Sequence, residues 1–310
     1  MATMLEYLDW RGDLTLEADP FNEVDSLVLC QLSYLDLAGI VPGTAEGGSV
    51  SVAAAAQRFA DVHANDPTGG APGGVVSPLT PQVLAKMAQG ARFSRARLLR
   101  YEEHLDTKAG EQFAALCIRL DDKTTYVAFR GTDDTFAGWR EDFAMSFTIV
   151  GAQRRAAAYL DGVRRSVRGP LRVGGHSKGG NLAVYAASTA TWAWRRRVRE
   201  IWIHDAPGFG EDTVSPEALT AVEGHVRRYV PEFCIVGQLL QQGEKHEVVA
   251  SATSAVMQHS AMNWQVMGNR FVRREAIDGR AQRFGELFAR VIEGRDAEFR
   301  RRLKIGRAHV

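Results

Sequence analysis

Residues 171–190 read LRVGGHSKGGNLAVYAASTA, and the interpretation of the whole chain starts from them. Residues 171–176 form an apolar run typical of a strand, and residues 181–190 are rich in Ala, Leu and Tyr at helical spacing. Between them, Gly175, Ser177 and Gly179 match G-x-S-x-G, the pattern of a strand that turns directly into a helix and presents a serine. A β-carbon at either glycine would collide with the strand or the helix. The pattern therefore predicts a nucleophilic serine at Ser177.

The same residues have two other interpretations. The first is a Gly-rich turn with a surface serine, which would require only the glycines. The strand before this turn and the helix after it favour the catalytic interpretation. A phosphate-binding loop fits less well, because Lys178 precedes its glycines and no Gly-Lys-Ser or Gly-Lys-Thr triplet follows a spaced glycine.

Length, composition and charge narrow the class of protein. A chain of 310 residues with 45% hydrophobic content can bury a large core. Its net charge of +1 provides no overall attraction to nucleic acid, so we expect no nucleic-acid partner. Arginines cluster at 195–197 and 300–302, but acidic residues nearby favour a solvated surface. The oligomeric state stays open.

Cysteine usage and the N-terminus indicate the compartment. Cys30, Cys117 and Cys234 each lie in apolar runs without metal-ligand spacing, which is typical of buried thiols in a reducing compartment. We predict no metal and no cofactor. The first residues are acidic rather than basic, and no apolar run is long enough to span a bilayer. We expect a cytoplasmic protein without a transmembrane segment, and peripheral membrane contact is compatible with this.

Strands and helices alternate through the central part of the chain. Helical spacing or capping predicts helices near 24–35, 52–62, 80–89, 136–147, 153–167 and 281–292, with Thr80 capping the third. Apolar runs predict strands at 97–101, 113–120, 124–129, 201–204 and 226–236. This order predicts an α/β fold with a mostly parallel central sheet and helices on both faces.

The predicted elements suggest one domain. We expect residues 1–304 to form it, with an N-terminal helical segment over about 1–90 and a core over about 91–304. Residues 305–310 match what a sequencing adapter encodes when read in frame, so we expect a non-native tail there.

A serine hydroxyl needs a general base, which a third group holds in the right tautomer. Hydrolases with this turn place the acid and then the histidine later in the chain. The histidines that follow the serine are His204, His225, His246, His259 and His309. His204 lies in an apolar strand and is expected to be packed, whereas His259 follows the last predicted strand in a segment with loop character. We therefore predict His259 as the base, against the alternative of a surface histidine beside an aromatic residue.

The acid is less clear from the sequence. Asp205 ends the strand after the serine's helix and is our preferred candidate, although a turn aspartate is the alternative. Glu232 follows Pro231 and could reach the same sheet edge. The third alternative is that no acid is present.

An acyl-transfer reaction also needs two donors to the developing oxyanion. In this architecture one is the backbone N–H after the serine, here that of Lys178. The other comes from the loop after an earlier strand, where Gly131 allows close approach and Thr132 offers its N–H.

Two segments match a known pattern. Residues 126–132 read YVAFRGT and are followed by Trp139 and Asp142, and residues 175–181 read GHSKGGN. Both resemble the class-three lipases of the α/β-hydrolase fold. A bacterial lipase-like family of unknown function is closer still, with counterparts of DWRGDL at 9–14, DPFNEVD at 19–25, DAPGF at 205–209 and the Gln258-His259 pair near Trp264. This resemblance covers nearly the whole chain.

The resemblance implies an α/β-hydrolase-like fold with Ser177 as nucleophile, His259 as base and the amides of Thr132 and Lys178 as oxyanion donors. It places Phe136 and Trp139 in the lid region, although their aromatic stripe fits a core equally well. Where the lipases carry their triad aspartate, this chain has Cys234. A thiol cannot stabilise the imidazolium, so Asp205 or Glu232 substitutes or catalysis is weak.

These observations support two main hypotheses. The first is a serine esterase that cleaves a small acyl ester or lipid-like substrate through an acyl-enzyme. The second is a weak or inactive module that binds a small acyl or hydrophobic ligand. A scaffold that uses the arginine clusters to bind an acidic partner has only those clusters in its favour.

Overall fold

Nine strands lie side by side in the computed structural model, which describes residues 2–66, 77–106, 111–132, 151–210, 213–239 and 245–293. In spatial order they are β1 (Val50–Ser51), β2 (Arg97–Asp106), β3 (Glu111–Arg119), β4 (Thr125–Phe129), β5 (Leu171–His176), β6 (Val198–His204), β7 (Val226–Pro231), β8 (Glu247–Val249) and β11 (Arg273–Arg274). β9 (Val266–Met267) and β10 (Arg270–Phe271) form a separate antiparallel pair. The four neighbouring pairs from β4 to β8 are parallel, and the outer pairs are antiparallel.

Helices cover both faces of this sheet. They are α1 (Met4–Arg11), α2 (Glu23–Gln31), α3 (Val52–Val62), α4 (Thr80–Gln89), α5 (Gly151–Ser166), α6 (Lys178–Thr189), α7 (Trp192–Arg195), α8 (Pro216–Glu223) and α9 (Gly279–Glu293). Short 3₁₀ helices span Leu32–Tyr34, Val236–Gln238, Ala255–His259 and Ala261–Asn263.

The side chains of the strands alternate between two hydrophobic cores. Tyr126 and Ala128 of β4 join the core that contains residues of α1 to α4, and Val127 and Phe129 join the core that contains residues of α5 and α6. Both faces of the central strands are therefore buried, as the period-two geometry of a strand requires. The predicted α/β fold with helices on both faces of a central sheet is confirmed, with a sheet that is parallel at its centre and antiparallel at its sides.

Local sequence explains where the N-terminal helices begin. The Asn22 side chain accepts hydrogen bonds from the N–H groups of Val24 and Asp25, and the Asp25 carboxylate accepts one from Asn22, so α2 starts with a reciprocal cap. The prediction that Thr80 caps α4 is wrong by one position. Thr80 is already helical, and Leu79 precedes it as the cap residue without a side-chain hydrogen bond.

The strand predicted over 226–236 is too long. β7 ends at Pro231, where its pairing with β8 also ends, and the chain then turns into the 3₁₀ helix of Val236–Gln238. The Gly237 N–H donates to the buried Asp205 carboxylate rather than to a neighbouring strand, with an N···Oδ1 distance of 2.9 Å. The sequence did not predict β1 or the short strands β8 to β11.

Some expectations concern residues that the structure does not describe. The helix predicted over 136–147, the lid region with Phe136 and Trp139, and the tail 305–310 lie outside the described residues. Among the residues that are described, no helix combines the length and the apolar character needed to cross a bilayer.

Candidate active site

Ser177 forms the turn between β5 and α6. Its backbone has φ 56° and ψ −133°, which is a strained conformation for a residue with a side chain. The Ser177 N–H donates to the carbonyl oxygen of His204 at 2.9 Å, so the turn is fastened to the end of β6. A β-carbon on Gly179 would lie 2.1 Å from the carbonyl oxygen of Phe129, so only glycine fits against β4 there. The strand and helix predicted on either side of Ser177 are confirmed.

The structure brings His259 and Asp205 to this serine. The Nε2 atom of His259 lies 3.1 Å from Oγ of Ser177, and its Nδ1 atom lies 2.5 Å from Oδ2 of Asp205. His259 ends the 3₁₀ helix of Ala255–His259, and Asp205 follows the last residue of β6. The three side chains form one continuous line of hydrogen bonds from hydroxyl to carboxylate.

Asp205 is fully buried and held by several donors. Its Oδ1 atom accepts hydrogen bonds from the Gly237 N–H at 2.9 Å and from the Cys234 thiol at 3.0 Å. Burial pushes the pKa of Asp205 upward, but the nearby His259 and the hydrogen bonds from His259 and Cys234 outweigh it, so the pKa lies below its usual value. The carboxylate therefore stays ionised beside the imidazole.

The alternative acid points elsewhere. The Glu232 side chain is 41% exposed, and its Oε2 atom lies 3.5 Å from Nε of Arg274. Of the two acidic candidates, Asp205 is therefore the one in contact with His259. Cys234, at the position where the lipases carry their aspartate, also contacts the carboxylate of Asp205.

The two predicted oxyanion donors belong to segments that lie next to Ser177. Lys178 is the first residue of α6, and its buried side chain donates from Nζ to the carbonyl oxygen of Gln112 at 3.0 Å. The segment that leads to Thr132 passes against the serine, since a β-carbon on Gly131 would lie 3.2 Å from Cβ of Ser177. Thr132 itself is 8% exposed. The structure thus brings both segments to the serine.

A family model described as Mbeg1-like matches residues 87–304, which include all of these residues. The chain belongs to the Mbeg1-like family. The match starts within α4, so α1 to α3 of this Mbeg1-like chain precede the matched segment.

Solved structures similar to this Mbeg1-like chain include three lipases. A Rhizomucor miehei lipase in a propeptide complex is 18% identical over 57% of this chain and 70% of that chain, with a TM-score of 0.35. The lipase from Rhizopus microsporus var. chinensis is 17% identical over 66% and 74%, with a TM-score of 0.41. The Lip2 lipase from Yarrowia lipolytica is 14% identical over 53% and 69%, with a TM-score of 0.35. No curated protein sequence matches the chain.

His176 is a site residue of the Mbeg1-like chain that the sequence reasoning missed. Its Nε2 atom lies 2.7 Å from the carbonyl oxygen of His259, and its Nδ1 atom lies 3.0 Å from the hydroxyl of Tyr34. Since a carbonyl only accepts, Nε2 carries the proton and Nδ1 accepts from Tyr34. Burial, with a further contribution from the charge of His259, lowers the pKa of His176 to about 3. Its position directly before Ser177 is the sequence signal that could have identified it.

His204 is packed in the core, as the apolar strand around it predicted. It is fully buried, and its Nε2 atom lies 2.9 Å from Oγ of Ser26. The rings of Tyr229, Trp264 and Phe271 surround it. Burial first, and then the nearby His176, lower the pKa of His204 well below its usual value. The residues described in this Mbeg1-like structure contain no group of three or more His, Cys, Asp or Glu that could hold a metal ion.

Proposed function

We propose that this chain is a serine hydrolase that cleaves a carboxylic ester through an acyl-enzyme on Ser177. The observation that carries the proposal is the line of contacts from Ser177 Oγ to His259 Nε2 at 3.1 Å and from His259 Nδ1 to Asp205 at 2.5 Å. A hydroxyl, an imidazole and a buried carboxylate in that order are the components of nucleophilic acyl transfer.

Each group has a role in the proposed reaction. His259 Nε2 takes the proton of Ser177 as Oγ attacks the ester carbonyl, and Asp205 holds Nδ1–H and stabilises the imidazolium. The backbone N–H groups of Lys178 and Thr132 donate to the oxyanion. His259 then protonates the leaving alcohol as the C–O bond breaks. A water molecule, deprotonated by the same imidazole, releases the acid and restores the serine.

The substrate class that we propose rests on the resemblance of two sequence motifs. The motifs around Gly131 and Ser177 resemble those of class-three lipases, so we propose an acyl ester with lipid-like character, with peripheral membrane contact at most. The three free cysteines are all buried, which accords with a reducing, cytoplasmic location.

The second hypothesis, a module that binds a small acyl or hydrophobic ligand without turnover, depended on the lack of an acid beside the base. The contact between Asp205 and His259 counts against it. We therefore favour turnover, with Asp205 rather than Glu232 as the acid.

A fluorophosphonate probe tests the proposal. We expect it to label the protein at Ser177, and Ser177→Ala to abolish both labelling and hydrolysis of short p-nitrophenyl esters. The matched control is Ser188→Ala, which removes a buried serine of α6 whose hydroxyl donates to the carbonyl of Tyr185. A folded protein that neither reacts with the probe nor hydrolyses esters would contradict the proposal.

A second pair of variants identifies the acid. Asp205→Asn leaves the imidazole without an anionic partner, and we expect kcat to fall by about 10⁴. Glu232→Gln removes a carboxylate that pairs with Arg274, and we expect kcat to stay within about twofold of the wild type. Equal losses in the two variants would contradict the assignment of Asp205.

A further inference from the structure

The carboxylate of Asp205 is shared between two segments. One oxygen, Oδ2, faces His259, and the other, Oδ1, faces the segment 232–239 that follows β7. That segment contributes one backbone donor, the Gly237 N–H, and one side-chain donor, the thiol of Cys234 at 3.0 Å. An ionised carboxylate only accepts hydrogen bonds, so in the Cys234 contact the S–H must donate.

We propose that Cys234 is a positioning residue of this site, whose thiol holds the Asp205 carboxylate in the orientation that presents Oδ2 to His259. This inference rests on the proposed hydrolase function. It gives a role to the position at which the resemblance to the lipases implied an aspartate. The acid stands at the end of β6 instead, and the thiol supports it from the segment after β7.

The surroundings of Cys234 keep its sulfur protonated. The side chain is fully buried, and burial first, and then the negative charge of Asp205, raise the pKa of the thiol well above its usual value. A thiolate 3.0 Å from the carboxylate would place two negative charges side by side in a buried site. The complete burial also excludes Cys234 as a nucleophile for substrate, because the thiolate and access to it are both required for that.

The segment that carries the thiol is fastened at two further points. The Gln238 side chain donates from Nε2 to the carbonyl oxygen of Cys234. The Phe233 N–H donates to Oε1 of Gln258 at 2.6 Å, and Gln258 immediately precedes the base. The acid and the base are thus connected through the neighbours of Cys234 as well as directly. A donor held this firmly limits rotation of the carboxylate away from His259.

The other two cysteines provide controls. Cys30 and Cys117 are also buried and free, but their sulfurs lie 3.1 Å from the hydroxyl of Tyr126 and 3.4 Å from that of Tyr159. Neither sulfur is bonded to a residue of the proposed triad. If any buried thiol could fill the proposed role, substitution of each of the three cysteines would have the same effect. We expect an effect on the site only at Cys234.

Three variants of Cys234 separate donation from packing. Cys234→Ala and Cys234→Val remove the donor, and valine also retains the volume. Without the donor the Asp205 carboxylate binds the proton of the imidazolium more strongly. We therefore expect the acid limb of the kcat/KM profile to move upward by about half a pH unit and kcat to fall about tenfold with KM nearly unchanged. Cys234→Ser keeps a donor, and we expect it to stay within about threefold of the wild type.

Histidine NMR gives a measurement that needs no turnover. We expect the proton resonance of the hydrogen bond between His259 Nδ1 and Asp205 to shift in Cys234→Val relative to the wild type, and to stay unchanged in the control Cys117→Val. If the valine variant has the resonance and the turnover of the wild type, or if Cys234→Ser is impaired as much as Cys234→Val, the positioning role is wrong. If instead the wild type neither hydrolyses esters nor reacts with fluorophosphonate, the hydrolase proposal fails, and the resonance still decides whether the thiol acts on the pair of Asp205 and His259.

Discussion

Tyr34 begins a chain of hydrogen bonds that ends on the backbone of the proposed base. Its hydroxyl donates to Nδ1 of His176, and Nε2–H of His176 donates to the carbonyl oxygen of His259. The ring of His176 also lies 4.7 Å, centroid to centroid, from the ring of His259. His176 therefore connects Tyr34 to the backbone of His259, and its low pKa keeps it uncharged near neutral pH.

Replacing Tyr34 by phenylalanine tests this connector. The variant leaves Nδ1 of His176 without its donor, so we expect kcat for ester hydrolysis to fall about three- to tenfold with little change in KM. The control is Tyr159→Phe, whose hydroxyl donates to the carbonyl oxygen of Arg100 away from the site, and which should lower stability without lowering kcat. Equal kcat values for the two variants would show that His176 needs no donor from Tyr34.

Among the helices and strands, the site depends on the close approach of α6 to β4. The first turn of α6 crosses the end of β4 at Gly179, where a side chain has no room. This contact brings Ser177 beside the segment that contains Thr132. The fit of one helix against one strand therefore sets the distance between the proposed nucleophile and a proposed oxyanion donor.

Gly179→Ala should disrupt that fit. The added carbon would lie 2.1 Å from the backbone oxygen of Phe129, which has no flexible side chain to move away, so we expect a loss of about 2 kcal/mol or more in the free energy of unfolding. Gly224→Ala is the control, because a β-carbon there meets nothing within 4 Å and the backbone is already in the helical region with φ −61°. It should change stability by less than about 0.5 kcal/mol in urea titrations. Similar stabilities for the two variants would contradict the steric argument.

Local patterns predicted these elements well and distant contacts poorly. The strand and helix around Ser177 follow from adjacent residues, and α5 follows from helical spacing. The end of β7 could not be predicted, because the apolar pattern continues past Pro231 while the hydrogen bond of Gly237 to Asp205 turns the chain away. The choice between Asp205 and Glu232 was open for the same reason, since sequence order does not give the direction in which a side chain points.

In the molecule as a whole, the site residues lie at the carboxyl ends of the parallel strands of the sheet. Thr132, Ser177, Asp205 and Cys234 follow β4, β5, β6 and β7 in turn, and these strands are neighbours. Parallel strands have their carboxyl ends at one edge, where ligand sites of open α/β sheets form. The order of elements therefore predicts the edge on which the site lies, although only the folded chain gives the distances between the side chains.

The same sheet buries two neutral histidines, and this makes stability depend on pH. Burial lowers the pKa of His176 to about 3 and that of His204 well below its usual value. Below a pH of about 6.5 the unfolded chain binds a proton at each residue and the native chain does not. Because the unfolded state then holds more protons, the free energy of unfolding falls as the pH falls. Well below pH 6.5, each histidine contributes up to about 1.4 kcal/mol per pH unit to this slope.

Urea unfolding between pH 7.5 and 5 measures the slope, and the variant His204→Gln isolates one contribution. Glutamine can still hydrogen-bond to Ser26 but does not titrate, so we expect the loss of stability on acidification to be smaller by up to about 1.4 kcal/mol per pH unit than in the wild type. The control is Ser188→Ala, which also replaces a buried polar side chain but one that does not titrate in this range, so its slope should match the wild type. A slope in His204→Gln as steep as that of the wild type would mean that the native state accepts a proton at His204. The aromatic residues around that ring would then have to accommodate a charge.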